Sequence, residues 1–133
     1  MSDADSVSPS DMRRFVVLRH AQGLTHHFDL MVEEGDGLAT WKLADAPETA
    51  ASRALACQRI ADHRRLYLEY EGLISGNRGE VKRHDEGRCL VQVDGTAHWE
   101  IDFHGKRITG QFELVQSSDS SKPDHWLLRS RSE

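Results

Sequence analysis

The sequence has little cysteine and no long apolar run, and each scarcity excludes a class of protein. Two cysteines among 133 residues, Cys57 and Cys89, are too few for a disulfide scaffold or a zinc knuckle, so we expect reduced thiols. No apolar run approaches the roughly 18 residues that a membrane-spanning helix requires. We therefore expect a cytoplasmic protein that does not associate with a membrane.

Basic residues are also in the minority. Lysine and arginine number 17 against 22 acidic residues, which gives a formal net charge of -5. This balance argues against a protein that coats nucleic acid electrostatically, although an enzyme could still bind one strand end through a local basic pocket. The length of 133 residues indicates a single domain, long enough to bury a core.

Histidine is abundant, with eight residues, and the segment Arg19–Glu33 holds several of them. His27 and Asp29 are two residues apart, so on a β-strand both side chains lie on one face, and the opposite face is apolar. Imidazole and carboxylate groups together, with His20 from a neighbouring segment, suit a divalent metal such as zinc or manganese. The alternative is that these are ordinary polar residues on the exposed face of a strand.

Short alternating strands separated by turns occupy most of the remaining chain. We predict a disordered leader over 1–12, one domain over 13–130 and a short tail over 131–133. Residues 44–62 favour one short helix or an irregular connection. The pattern predicts a mainly β protein, an antiparallel barrel or sandwich with one short helical insert. The predicted strands are 14–20, 27–33, 38–43, 66–72, 80–84, 88–93, 98–104, 107–116 and 124–129.

A set of short motifs, in a fixed order, runs from about Phe15 to Arg129. They are Phe15-Val16-Val17 with Arg19-His20, His27-Phe28-Asp29, Trp41, Asp62-His63 with Tyr67 and Glu71-Gly72, the run from His104 to Gly110, and Trp126-Leu127-Leu128. In this order and with these gaps, the chain resembles the 3′-phosphoesterase domain of bacterial DNA ligase D. So many pieces in one order are hard to obtain by chance.

The resemblance implies a small β-barrel with a polar active-site crater. The family removes 3′-terminal ribonucleotides and 3′-phosphates from primer strands with manganese, and zinc or cobalt are the alternative ions. By position, His20, His27 and Asp29 look like the metal ligands. His63 and Tyr67 look like the pair that contacts the scissile phosphate. The resemblance implies a free-standing form of this domain.

The chain departs from the family at one charged position. The family has an arginine two residues after the aspartate, and Met31 occupies that position here. Methionine cannot replace a guanidinium that binds phosphate through two hydrogen bonds. Arg19 or Arg78 could supply the missing positive charge, a suggestion that rests on residue type alone.

The spacing between the first two histidines is one residue longer than in the family, so either His26 or His27 could be the second ligand. His27 is favoured because it shares a strand face with Asp29 and His26 does not.

We therefore predict a metal-dependent phosphoesterase that acts on 3′ ends of nucleic acid during DNA end repair. One alternative is a catalytically weakened or inactive relative that binds metal and a nucleic-acid end or a protein partner. Another is a hydrolase for a smaller phosphoester. We expect a monomer, and a DNA ligase or polymerase acting in trans is a candidate partner.

Overall fold

Eight antiparallel strands close into a barrel in this computed structural model, which describes residues 12–131. A ninth strand of two residues and two short 3-10 helices complete the described part of the chain. The helices are η1 (Pro47–Ala51) and η2 (Arg65–Leu68). The strands are β1 (Met12–Gln22), β2 (Thr25–Glu34), β3 (Gly37–Leu43), β4 (Leu55–Arg64), β5 (Gly72–Leu73), β6 (Glu80–Asp94), β7 (His98–Gly105), β8 (Thr109–Gln116) and β9 (His125–Ser130).

The strand order around the barrel is β1-β2-β3-β4-β9-β8-β7-β6, and pairing of β6 with β1 closes the ring. The last strand, β9, lies between β4 and β8, so the ring is complete only when this strand is inserted. The short β5 pairs with the beginning of β6. The prediction of an antiparallel β-barrel is thus confirmed, and it replaces the sandwich alternative.

Apolar side chains that alternate along the strands fill the interior of the barrel. Trp41, Trp99 and Trp126 are all at most 5% exposed, and their rings meet edge to face at centroid distances of 5.0 and 5.7 Å. The Arg59 guanidinium lies 4.6 Å from the centroid of the Trp41 ring, in cation–π geometry. The interior is therefore packed with side chains, and any ligand site must lie on the outside or at an end.

A second apolar cluster lies on the outer face of β1, β2 and β3. The segment from η2 to the start of β6 crosses this face and packs on it. The buried members of the cluster are Val16, Leu18, Met31, Leu38, Leu68 and Val81, and Tyr67, Tyr70 and Ile74 pack against them. Because this segment covers only part of the face, a cavity remains at its edge.

The predicted helical insert over 44–62 is only partly present. It is limited to η1, and the second half of the range belongs to β4. Leu55 and Cys57 alternate into the barrel core, and β4 bridges β3 and β9. The pairing of β4 on both sides outweighs the helix propensity of its residues.

The predicted strand over 66–72 is wrong, because this range contains η2 and the turn that follows it. The alternation there reflects a single buried side chain, Leu68, that packs on the outer cluster. The two predicted strands over 80–84 and 88–93 are one continuous strand, β6. Gly87 lies within this strand, and the absence of a side chain there lets β7 approach closely. A Cβ at residue 87 would lie 2.3 Å from the carbonyl oxygen of His104.

The ends of the chain fall largely beyond the described residues. The predicted leader over 1–12 lies outside them, except for Met12, which begins β1. Of the predicted tail, Arg131 is described, and its backbone N–H donates to the Gln111 carbonyl. In residues 12–131, no helix has the length and apolar character needed to cross a membrane. Both cysteines are free thiols, and burial raises the pKa of each to about 12.

A buried carboxylate ties the turn after β7 to the middle of β6. Asp85 is 2% exposed and accepts hydrogen bonds from four backbone N–H groups, those of Glu86, Lys106, Arg107 and Ile108, at 2.8 to 3.0 Å. Gly105 is required at the same place, because a Cβ there would lie 2.7 Å from the Asp85 carboxylate. The pairing of β1 with β6 shifts register next to Asp85, which lies opposite Val17. Asp85 thereby fixes the β7–β8 connection.

We expect Asp85→Asn to lower the free energy of unfolding by about 2 to 3 kcal/mol, because the amide cannot accept all four bonds and leaves buried N–H groups unpaired. Urea denaturation followed by tryptophan fluorescence measures the change. The exposed Asp94→Asn serves as the control and should leave stability within about 0.5 kcal/mol. Equal effects of the two substitutions would contradict this account of the turn.

Candidate active site

Antiparallel pairing of β1 with β2 brings together the three residues predicted as metal ligands. His20 lies directly opposite His27, and Asp29 is two residues further along β2 on the same outer face. The distance from His27 Nε2 to Asp29 Oδ1 is 3.1 Å, and that from His20 Nδ1 to Asp29 Oδ2 is 3.9 Å. One potential ligand atom from each residue lies within 4.8 Å of the other two. We refer to these three residues as the His-His-Asp cluster.

His26 lies outside this cluster. Successive side chains of a strand point to opposite faces, so His26 is directed away from Asp29, and its ring lies 5.8 Å from that of Phe28. The structure therefore brings His27, and not His26, to the carboxylate.

A hydrogen bond to a backbone carbonyl orients the ring of His20. The His20 Nε2 atom lies 2.6 Å from the carbonyl oxygen of Arg78. Since a carbonyl oxygen can only accept, the proton of the neutral ring is on Nε2, and the lone pair of Nδ1 is directed towards Asp29. Metal-binding histidines commonly donate their second ring N–H in this way, which fixes the tautomer and the ring plane.

The carboxylate of Asp29 is buried and incompletely satisfied. The residue is 3% exposed, and its Oδ1 oxygen has no hydrogen-bond partner among the described residues. Its Oδ2 oxygen lies 3.3 Å from His27 Nε2. The Oδ1 oxygen lies 3.1 Å from His27 Nε2 without accepting a hydrogen bond from it. A buried charged oxygen that accepts no hydrogen bond is costly, and a cation held between it and the two imidazoles would remove that cost. The donor set of two nitrogens and one carboxylate fits a divalent transition metal.

A small cavity of about 100 Å³ adjoins the cluster, and we call it the site cavity. His63 reaches it from β4 and Tyr67 from η2, with ring centroids 5.6 Å apart. The Nδ1 atom of His63 lies 2.9 Å from the carbonyl oxygen of Ala61, so Nδ1 carries a proton and Nε2 remains free for a ligand. The cavity is lined by His20, Asp29, Met31, His63, Tyr67, Ile74, Arg78 and Val81.

The two arginines suggested as phosphate contacts occupy different places. Arg78 lines the site cavity, but its guanidinium donates to the carbonyl and hydroxyl oxygens of Ser75 at 2.6 and 3.2 Å. Arg19 is exposed and does not line the cavity, because it precedes His20 and its side chain takes the other face of β1. The structure thus brings Arg78 to the site and leaves Arg19 away from it.

Met31 is buried in the outer apolar cluster and lines the site cavity. Its side chain lies on the same face as Asp29 and has the apolar residues of β1 and β3 around it. The position where the family has a charge is therefore apolar in this chain.

Two features of the site were missed in the sequence analysis. Lys42 lies directly opposite Asp29 on β3, and the Arg78 backbone carbonyl holds His20. The first could have been found, because the two-residue turn between Glu34 and Gly37 fixes the register of the hairpin. The second could not, because it depends on how a distant loop folds over β1.

The fold and the cluster together define an antiparallel β-barrel with a candidate metal site beside a polar cavity on its outer face. The family model of the DNA ligase D 3′-phosphoesterase domain matches residues 19–116, so the chain belongs to that family. The matched range contains every candidate site residue named above. A search of curated proteins found no match.

Gly79 allows the loop that carries Arg78 to approach β1. Its φ is +89°, and a Cβ there would lie 2.0 Å from the carbonyl oxygen of Ala21. The Gly79 carbonyl also accepts a hydrogen bond from the Ile74 N–H, which closes the loop. The orientation of His20 therefore depends on the absence of a side chain at residue 79.

We expect Gly79→Ala to displace the loop and weaken Mn²⁺ binding by about 10- to 100-fold, the usual effect of removing a partner that orients a metal ligand. Isothermal titration calorimetry with Mn²⁺ measures this affinity. Gly76→Ala is a matched control, because its φ of +76° carries similar strain but its Cβ would have no contact closer than 3.5 Å. Equal losses in both variants would show that backbone strain, and not the approach to β1, is responsible.

Proposed function

We propose that this protein is a metal-dependent phosphoesterase that removes 3′-phosphates or 3′-ribonucleotides from nucleic-acid ends, in DNA end repair. Membership of the 3′-phosphoesterase family gives the reaction class. The observation that supports metal dependence is the buried Asp29 carboxylate, which faces His20 and His27 and has one oxygen that accepts no hydrogen bond from the described residues. We propose Mn²⁺ as the ion, with Zn²⁺ or Co²⁺ as alternatives for the same donor set.

The site cavity offers the groups that such a reaction needs. In hydrolysis of a 3′-phosphate, a water oxygen bonds to phosphorus, the P–O3′ bond breaks, and the leaving 3′ oxygen must gain a proton. His63 Nε2 is free because Nδ1 donates to Ala61, so the imidazolium form could supply that proton or bind a non-bridging oxygen. The Tyr67 hydroxyl could donate a second hydrogen bond to the phosphate.

A divalent ion held by the His-His-Asp cluster would polarise the phosphoryl oxygens and lower the pKa of bound water. The protein residues contribute the rest. Asp29 supplies the negative charge, and the Arg78 carbonyl holds His20 in the required tautomer. The apolar cluster around Met31 and Leu68 reduces access of bulk water to one side of the cavity.

Other parts of the proposal concern the setting of the protein. We propose that it acts in the cytoplasm as a monomer and that a DNA ligase or polymerase uses the ends it produces. Partner and oligomeric state stay predictions.

We expect the protein with Mn²⁺ to convert a 3′-phosphate primer to a 3′-hydroxyl primer and to lose this activity in EDTA. His27→Ala should abolish both Mn²⁺ binding and turnover. His63→Ala should retain Mn²⁺ binding and lower kcat by about 10²- to 10⁴-fold, as for loss of a general acid. Gel analysis of labelled primers and calorimetry provide the two measurements.

His104→Ala is the matched control, since this histidine is exposed at the end of β7 and does not line the site cavity. It should behave as wild type in both measurements. If the wild-type protein leaves the primer untouched in Mn²⁺, Zn²⁺ and Co²⁺, the proposed activity is wrong.

A second candidate function is a binding module with weak or no turnover. The observation that favours it is the apolar side chain of Met31, 1% exposed, where the resemblance implies an arginine. Such a module would still bind metal and a nucleic-acid end or a protein partner. The phosphoesterase and the binding module differ in whether the remaining groups of the site neutralise the charge of the scissile phosphate well enough for turnover.

If the site lacks only the arginine, Met31→Arg should raise kcat/KM for a 3′-phosphate primer, because a guanidinium in the site cavity would bind the phosphate through two hydrogen bonds. We expect a gain of about tenfold or more for a contact of this type. Met31→Leu conserves volume and apolar character and serves as the control. An active wild type with no gain in Met31→Arg would favour the first candidate.

A further inference from the structure

A larger concavity lies on the other side of the His-His-Asp cluster from the site cavity. Its volume is about 530 Å³, and residues of β2, β3, β4 and β9 line it. His27 belongs both to the cluster and to its lining. We call this concavity the lateral cleft, and the residues used below are His27, Lys42, Ala56, Gln58 and His125.

The strand registers give one wall of the lateral cleft. Lys42 pairs with Asp29 on one side and with Gln58 on the other. Gln58 pairs in turn with His125. With neighbouring strands about 4.8 Å apart, the row from Asp29 to His125 spans about 14 Å. The cleft therefore begins at the cluster and leads away from it, perpendicular to the strands, over small side chains such as Ala56.

This wall carries a positive charge near the cluster, and its side chains further away are polar. Lys42 is exposed, and no carboxylate oxygen of the described residues lies within 4.0 Å of its ammonium. By contrast, other cations such as Arg65 and Arg129 are paired with glutamates. At the far end, Gln58 Nε2 donates to Asp124 at 2.7 Å, so that end carries a carboxylate. An anion is therefore favoured beside Lys42.

The size and position of the cleft indicate what would occupy it. A volume of 530 Å³ falls within the range of sites that enclose one small ligand. His125 lines the far part of the cleft, and its imidazole is a flat surface on which a base can stack, as aromatic side chains do for unpaired bases. A nucleotide whose 3′ phosphate reached the cluster could extend into this cleft without crossing the packed segment around η2.

We propose that the lateral cleft binds the 3′-terminal nucleotide of an unpaired strand, with Lys42 pairing with the phosphodiester on its 5′ side. This inference rests on the proposed function. The scissile 3′ phosphate lies at the cluster, facing His63 and Tyr67, and the nucleoside to which it is attached lies on the opposite side. Lys42 is thus a binding residue for the strand and takes no part in bond breaking.

Binding without turnover tests the cleft separately from the reaction. The probe is a fluorescein-labelled 12-nucleotide DNA strand with a 3′-hydroxyl end, in EDTA, with fluorescence anisotropy measured over a range of KCl concentrations. For Lys42→Ala we expect about tenfold weaker binding at low salt. The slope of log K against log [KCl] should fall by about 0.7, the value for one lost contact with a single strand. Lys106→Ala is the control, since Lys106 is exposed and lies in the turn after β7.

A second variant fills the cleft without changing charge. Ala56→Leu places a larger side chain in the lining at an exposed position of β4, and it should also weaken binding. Ala97→Leu, exposed in the β6–β7 turn, should not. The inference is overturned if wild-type protein does not bind the strand, or if Lys42→Ala binds as Lys106→Ala does. Binding that follows Lys42 in a protein without phosphatase activity would refute the proposed function and retain the cleft.

Discussion

The register between β1 and β2 is the constraint on which the site depends. It places His20 opposite His27, and it keeps Asp29 on the face that carries both imidazoles. A slip of one residue would turn Asp29 into the barrel and expose Phe28 and Leu30. The register is secured on both sides, because β3 pairs with β2 and β6 pairs with β1. The arrangement of the three residues of the cluster thus depends on the strand register of the closed barrel.

The outer face of a barrel is an uncommon place to bury a carboxylate, and the covering segment explains how this chain does so. Without η2 and the loop before β6, Asp29 would be solvated, and water would then satisfy its carboxylate in place of a cation. Leu68 and Val81 pack in the outer cluster and exclude water from one side of Asp29. The Arg78 carbonyl accepts a hydrogen bond from His20 and fixes the orientation of its ring. Two sides of the cluster stay accessible, one through the site cavity and one through the lateral cleft.

Local patterns in the sequence allowed the barrel and the face shared by His27 and Asp29 to be predicted, since period-two alternation is visible in one strand. Contacts between distant segments were less accessible. The range 66–72 alternates like a strand, but only Gly72 at its end pairs with another strand. The residues of β4 have helix propensity, and the pairing with β9 that makes them a strand cannot be seen in the local sequence. Arg19 was suggested from residue type alone, and the direction of its side chain on β1 keeps it out of the lining of the site cavity. Lys42 could have been found from the hairpin turn alone.

The position of β9 has a consequence for how the protein matures. The residues of the cluster and the site cavity lie between 20 and 81, but the strand that pairs with the first half of β4 and completes the barrel is 125–130. A ribosome therefore exposes all of the candidate ligands well before the barrel can close. Pairings at such long sequence separation make folding slow, and the early strands pass through a period with free edges.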